Sequence, residues 1–264
     1  MNWAALIGKL LDPYDVKARL FPGLLVLLPA ILFLALLYGT RSPIVVGLGT
    51  VLAACGGPYL LASFVRTWGL RAQDRLVRGW GGLPSTLMLR HRDTTLPQRT
   101  KLHYHELAST RLSVNMPSEE DEQRDPAKAD QAYAAAADAL RPLTNDRKQF
   151  PFVFKELVAY GFNRNAHGSR WIGLAVALTS AVATLLHAGA LRVDQPYWAP
   201  GVLDNVHIVL LVASGAVAAL WCAHFTGDTV KLSGFAYAKR LWEALDQLPK
   251  KPTRAQRKPM ESAA

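Results

Sequence analysis

The tetrad His103-Tyr104-His105-Glu106 is the part of this chain whose residue types most suggest catalysis. A zinc-hydrolase helix places its two histidines four residues apart, so that both imidazoles leave the same face. Here the spacing is two, which on a helix turns them roughly 200° from each other and suits packing better than a shared metal. The chain has no glycine-rich phosphate loop of known spacing, no nucleophile elbow and no paired carboxylates beside an apolar stretch. Cys55 and Cys222 both lie inside apolar stretches, so neither a disulfide framework nor a cysteine zinc site is expected. These residues predict no catalytic group, no metal, no cofactor and no enzymatic activity.

A different chemistry is written into the apolar stretches. Ser180, Thr184 and His187 recur at i, i+4 and i+7, on one helical face, and His207 lies near the same end of the next stretch. Polar groups within a bilayer are costly and face a bundle interior or water. They therefore predict either a pore lining or hydrogen bonds between helices. Gly49, Ala53 and Gly57 form a ladder of small residues, as do Gly173, Ala177 and Ala181, and Gly215 with Ala219. Such ladders let helix backbones approach closely, within one subunit or in a homo-oligomer. None of the four stretches contains Asp, Glu, Lys or Arg, which argues against an ion-coupled transporter.

The third chemistry is cationic. Arg71, Arg75 and Arg78 share a helical face, Arg90 and Arg92 follow, and Arg164 and Arg170 precede the third apolar stretch. The formal net charge is +10. Such a cluster suits anionic lipid, by attraction to the membrane surface, or a nucleotide or oligonucleotide ligand.

The elements that must position these residues begin with four uncharged stretches: Leu20–Thr40, Ser42–Val65, Trp171–Leu191 and Asn205–Gly227. Each meets the roughly 20 residues needed to cross the hydrocarbon core as a helix. Of 30 Lys and Arg, only Arg41 and Arg192 fall in the short connections; the rest lie in 1–19, 66–170 and 228–264. The positive-inside rule puts those three segments, and so both termini, in the cytoplasm. The expected organisation is an interfacial amphipathic helix over 1–19 (Trp3, Leu6, Ile7, Leu10, Leu11, Tyr14), two crossings over 20–65, a helical cytoplasmic domain over 66–170, two more crossings over 171–227, and a tail over 228–264 with a disordered end. Within the polar segment the second crossing continues through Arg66–Trp80 to Gly81-Gly82. Ser118 and Asp125-Pro126 begin further helices, and a helix over Phe152–Phe162 leads through Asn163-Arg164-Asn165 into the third crossing. The fold class is all-α, a polytopic membrane protein with four transmembrane helices. Gly56-Gly57-Pro58 is expected to kink the second.

Several segments carry a resemblance. Gly79–Asp93 (GWGGLPSTLMLRHRD), Lys101–His105, Arg124–Tyr133 and Phe152–Asn165 together resemble a group of uncharacterised bacterial four-span membrane proteins, over most of 60–175. In layout the chain is similar to the small membrane effectors of bacterial anti-phage defence, including those of the Hailong type, which pair a nucleotidyltransferase with an oligomeric channel controlled by oligonucleotides. That likeness implies a homo-oligomeric inner-membrane channel governed through its basic cytoplasmic part. It transfers no functional residue. The alternatives are a non-conducting scaffold that recruits a cytoplasmic enzyme, and a small transporter.

Overall fold

The computed structural model describes residues 12–39, 42–54, 56–192 and 198–249, with the backbone alone at 44, 45, 48 and 52–54. Expectations for residues 1–11, Arg41, Cys55, the Ala53 side chain and the tail from 250 lie outside that description. Among the described residues the fold is all-α, with one isolated bridge, Leu191 to Trp198, and no strand. Three helices are long and apolar enough to cross a bilayer: α1 (Pro13–Leu37, with a π-helical turn over Val16–Leu20), and two described below, Pro151–His187 and Asn205–Ala223. The chain is a membrane protein.

The stretch expected to form the second crossing is divided. α2 runs over Pro43–Ala54 and α3 over Gly57–Trp80, so neither half of the stretch is one continuous span. Between them Gly56 takes a φ of +77°, a left-handed conformation that glycine reaches without a Cβ clash. α3 itself ends at Gly81, at φ +79°, the left-handed stop common at helix C-termini.

Short helices follow: α4 (Pro84–Leu87), α5 (Gln98–Leu107, extended by a π turn to Leu112), α6 (Glu119–Arg124) and α7 (Pro126–Leu143). The Ser118 hydroxyl accepts the Asp121 N–H at 3.1 Å and the Asp121 carboxylate accepts the Ser118 N–H at 3.2 Å, a reciprocal cap that starts α6. Asp125 caps α7 through the Lys128 N–H at 3.0 Å, with Pro126 at the first helical position, where no N–H is needed. α8 then runs unbroken over Pro151–His187. The expected interruption at Asn163-Arg164-Asn165 does not occur. Asn165 is fully buried and donates to the Ala18 carbonyl at 2.6 Å, so a tertiary contact overrides its weak helix propensity. α9 (Asn205–Ala223) and α10 (Gly227–Glu243) complete the set.

The chain divides into two units. Unit one comprises 1–79 and 158–233. Its interior gathers Val26 of α1, Ala166 and Ala177 of α8, and Val217 and Trp221 of α9, with Phe225. Its outward faces carry large apolar side chains such as Leu24, Ile31, Phe64, Trp171 and Val212, as lipid contact requires. Unit two comprises 80–157 and 234–264. There α7 buries Tyr133, Ala136, Ala137 and Leu140 on one face, against Leu89, Tyr104, Leu241, Trp242 and Leu245. The Trp242 indole N–H donates to the Ser85 carbonyl at 3.0 Å, and Arg111 donates to the carbonyls of Leu245 and Leu248.

Candidate functional site

Three groups of polar residues are candidates, and each is built differently. The first is the file along α8 and α9. Ser180 and Thr184 are buried within the single chain, and the Thr184 hydroxyl donates to the Ser180 carbonyl at 2.8 Å. One helical turn on, His187 Nδ1 and His207 Nε2 stand 3.0 Å apart, so one proton is shared across the two helices. The Asp204 carboxylate lies 2.7 Å from His207 Nδ1 and accepts the His207 backbone N–H at 2.9 Å, capping α9. Phe33 of α1 and Tyr38, just past its end, meet the exposed His187 ring edge-on, with centroids at 6.3 and 6.0 Å. Ser214, also buried, faces the same interior from α9. The structure thus buries Ser180, Thr184 and His207 within one bundle, while His187, which meets His207, is itself exposed.

The small residues divide between interior and outward faces. A Cβ on Gly173 would lie 2.3 Å from the Trp221 ring, so Gly173 and Ala177 serve packing inside the chain. Gly215, Ala219 and Gly49 face outward, and nothing described lies within 4 Å of a Cβ at Gly215 or Gly49. Gly57 opens α3. The tightest approach is one the small-residue ladders do not mark. A Cβ on Gly168 would meet the backbone of Trp68 and Gly69 at 2.5 and 2.6 Å, and one on Gly69 would lie 2.0 Å from the Asn165 side-chain oxygen.

The second group is the arginines, which do not form one set. Arg90 makes a two-pronged pair with Asp130, both contacts 2.7 Å, and donates to the Gly81 carbonyl. Arg92 pairs with Glu122 at 2.7 Å and reaches Asp130 at 3.4 Å. Both guanidinium groups are therefore engaged inside unit two. Arg170 donates to the Cys222 carbonyl at 3.0 Å and lies over the Trp171 ring. Arg164 is buried against Gln73 and Asn165. Arg71, Arg75 and Arg78 remain exposed on α3, together with Asp74, and no described residue pairs with them.

The third group went unmarked in the sequence and surrounds Glu122 in unit two. This buried carboxylate accepts the Tyr133 hydroxyl at 2.6 Å, the His91 N–H at 2.7 Å and the Arg92 guanidinium at 2.7 Å. Burial alone would raise its pKa, but those donors outweigh it and hold the carboxyl below its ordinary value. Burial followed by the Glu122 contact pushes the Tyr133 phenol well up. Lys101, also buried, donates to the carbonyls of His91 and Asp93 at 3.2 and 2.5 Å; burial lowers its pKa against the opposing charges of Asp93, Glu122 and Glu119. His105 donates through Nε2 to the Leu89 carbonyl at 2.8 Å, and burial lowers its pKa to about 4. It is neutral at pH 7. His91 packs edge-on to it at 4.7 Å, its own Nε2 held 3.1 Å from the Pro117 carbonyl. Both histidines line a cavity of about 410 Å³ with Gln98, Glu106 and Ser109. His103 turns instead to Asp246, at 2.9 Å. Among the described residues no three His, Cys, Asp or Glu gather as a metal-holding group. The sequence signal that could find this network is faint, because its partners lie from 8 to 31 residues apart with no common period.

No protein-family model, curated protein or solved structure matches this chain.

Proposed function

We propose that this chain is the subunit of a homo-oligomeric channel of the bacterial inner membrane, opened or closed by an anionic ligand of nucleotide or oligonucleotide class. The observation that carries the reading is the α3 stripe of Arg71, Arg75 and Arg78. It is exposed and unpaired among the described residues, and it lies on a helix whose first half is apolar. Exposed guanidinium groups spaced along one helix suit successive phosphates. The outward small residues Gly215, Ala219 and Gly49 supply faces on which a second copy can pack closely. In this reading the chain crosses four times, α2 with the first turns of α3 making the second passage, and both termini are cytoplasmic. A partner nucleotidyltransferase would supply the ligand, and the setting would be anti-phage defence.

Burial of Ser180 and Thr184 inside one chain favours a second reading, a non-conducting membrane scaffold that recruits a cytoplasmic enzyme. If the file lines a conduit, the bundle of α1, α8 and α9 must open to expose it. Ion flux from liposomes holding the purified protein, with and without single-stranded oligonucleotides, separates the two. A channel should show ligand-dependent flux. Oligonucleotide binding should fall with salt at a slope of about −0.7 per phosphate contacted, and more gently once Arg71, Arg75 and Arg78 are all Gln. Absence of flux together with absence of salt-dependent binding would leave the scaffold.

A further inference from the structure

Unit one holds a buried cation with only neutral partners. Arg164 is 9 % exposed. Its Nη1 donates to Gln73 Oε1 at 3.0 Å and its Nε to the Asn165 side-chain oxygen at 3.2 Å. The Tyr160 hydroxyl donates to the same Gln73 oxygen at 3.1 Å, and its ring centroid lies 5.9 Å from the guanidinium carbon. Asn165 is fixed in turn by its bond to the Ala18 carbonyl, 2.6 Å long, so its oxygen cannot turn away. These contacts join α1, α3 and α8. Both Arg164 and Gln73 lie in the interiors of their helices.

Two other sheltered arginines of this chain have a carboxylate partner, whereas Arg111, like Arg164, has neutral ones. Arg19 has Asp15 at 2.6 Å and Arg90 has Asp130 at 2.7 Å. No carboxylate among the described residues lies within ion-pairing distance of Arg164. A guanidinium carries five N–H donors, and the Nη2 pair of Arg164 makes no hydrogen bond to any described residue. Nη2 is not among the fully enclosed unsatisfied atoms, so the otherwise buried guanidinium keeps an opening to the surface at its unpaired end, where a counter-charge can reach it.

Position along α8 narrows what the counter-charge is. Arg164 precedes Trp171, the first residue of an uncharged run, by seven residues, about 10 Å of helix. The headgroup layer extends about 5–8 Å beyond the hydrocarbon, within reach of an arginine side chain.

We propose that Arg164, with Gln73, Asn165 and Tyr160 as its scaffold, is a binding site for a phosphate group, carried by an anionic lipid headgroup or by a free oligonucleotide. The guanidinium supplies the charge and a planar pair of donors matched to two phosphate oxygens. Gln73 and Asn165 hold the fork in place, and Tyr160 shields one side. The site does not depend on whether the assembly conducts.

The test uses the full chain in a phosphate-free detergent and follows thermal unfolding. Added probes are a short-chain phosphatidylglycerol, a short oligothymidylate, and a monoacylglycerol as the phosphate-free control. The wild type should gain a saturable rise in unfolding midpoint from a phosphate-bearing probe and none from the control. A rise with the lipid alone assigns the headgroup; a rise with the oligonucleotide alone assigns the free ligand. Arg164→Gln should unfold no earlier than wild type without probe, since an unmatched charge is gone, and should lose the rise. Arg164→Lys keeps the charge but not the fork, and should need about tenfold more probe, the loss of one charge-assisted hydrogen bond. A wild type that responds to no phosphate probe overturns the site, whether or not the variants fold. So does an Arg164→Gln or Arg164→Lys protein that responds as wild type does.

Discussion

His105 shows how a single buried side chain makes stability depend on pH. Its imidazole donates to the Leu89 carbonyl and is largely buried against His91 and Tyr133, which leaves little water to stabilise a charge. Folding lowers its pKa from 6.5 to about 4. Between those values the unfolded chain binds the extra proton and the folded chain does not, so stability rises with pH across the window. The contribution is complete above pH 6.5 and is lost progressively as pH falls to about 4, by up to about 3 kcal/mol. Denaturant titrations at several pH values should show that slope, and His105→Gln, which can still donate to Leu89, should flatten it. An unchanged slope in the variant would place the protonating group elsewhere. Glu122, whose pKa is lowered in the folded state, acts in the more acidic range below 4.5. At this scale the sequence was half legible. The spacing of His103 and His105 shows that they part company, and they do, one to Asp246 and one inward. Nothing local to Arg90 or Arg92 announces Asp130 or Glu122, because ion pairs across 30 to 40 residues leave no periodic trace.

At the scale of helices, the closest contact is set by glycines that no ladder includes. Gly168 of α8 sits on the backbone of α3 at Trp68 and Gly69, and a methyl group there would meet atoms that cannot rotate aside. Gly168→Ala should therefore destabilise unit one by about 1–3 kcal/mol, the usual range for forced overpacking. Gly215→Ala should leave the unfolding midpoint of the isolated subunit unchanged, because its face is open. If Gly215 meets a second copy, the same change should weaken cross-linked oligomer in detergent. Equal effects of the two substitutions on unfolding would contradict the assignment of inside and outside faces. Periodicity reveals which residues share a face, as with Ser180, Thr184 and His187, but not what that face meets. Gly173 illustrates the difference: its ladder with Ala177 suits packing within one subunit or between subunits, and its neighbour is Trp221 of the same chain.

For the whole chain, composition carried the class. Long uncharged runs read as bilayer-crossing helices because nothing else satisfies so much apolar backbone, and three such helices are present. The stretch Ser42–Val65 also reads as a crossing, but hydropathy averages over Gly56, whose backbone angle divides it into α2 and α3 rather than one continuous helix. The charge split across the chain makes Arg41 and Arg192 external in the proposed topology. Reporter fusions at Ser42 or Gln195 should then be periplasmic and those at Gln123 and Ala264 cytoplasmic; a periplasmic Gln123 would reverse the arrangement. The glycine contact between α3 and α8 has a mechanical consequence. Where the two backbones touch, at Gly168 against Trp68 and Gly69, no side chain cushions them, so these turns cannot roll or slide without prying the pair apart. They act as a single strut. Gly56, left-handed between α2 and α3 and with nothing described within 4 Å of a Cβ there, is a point where the chain bends without touching that contact.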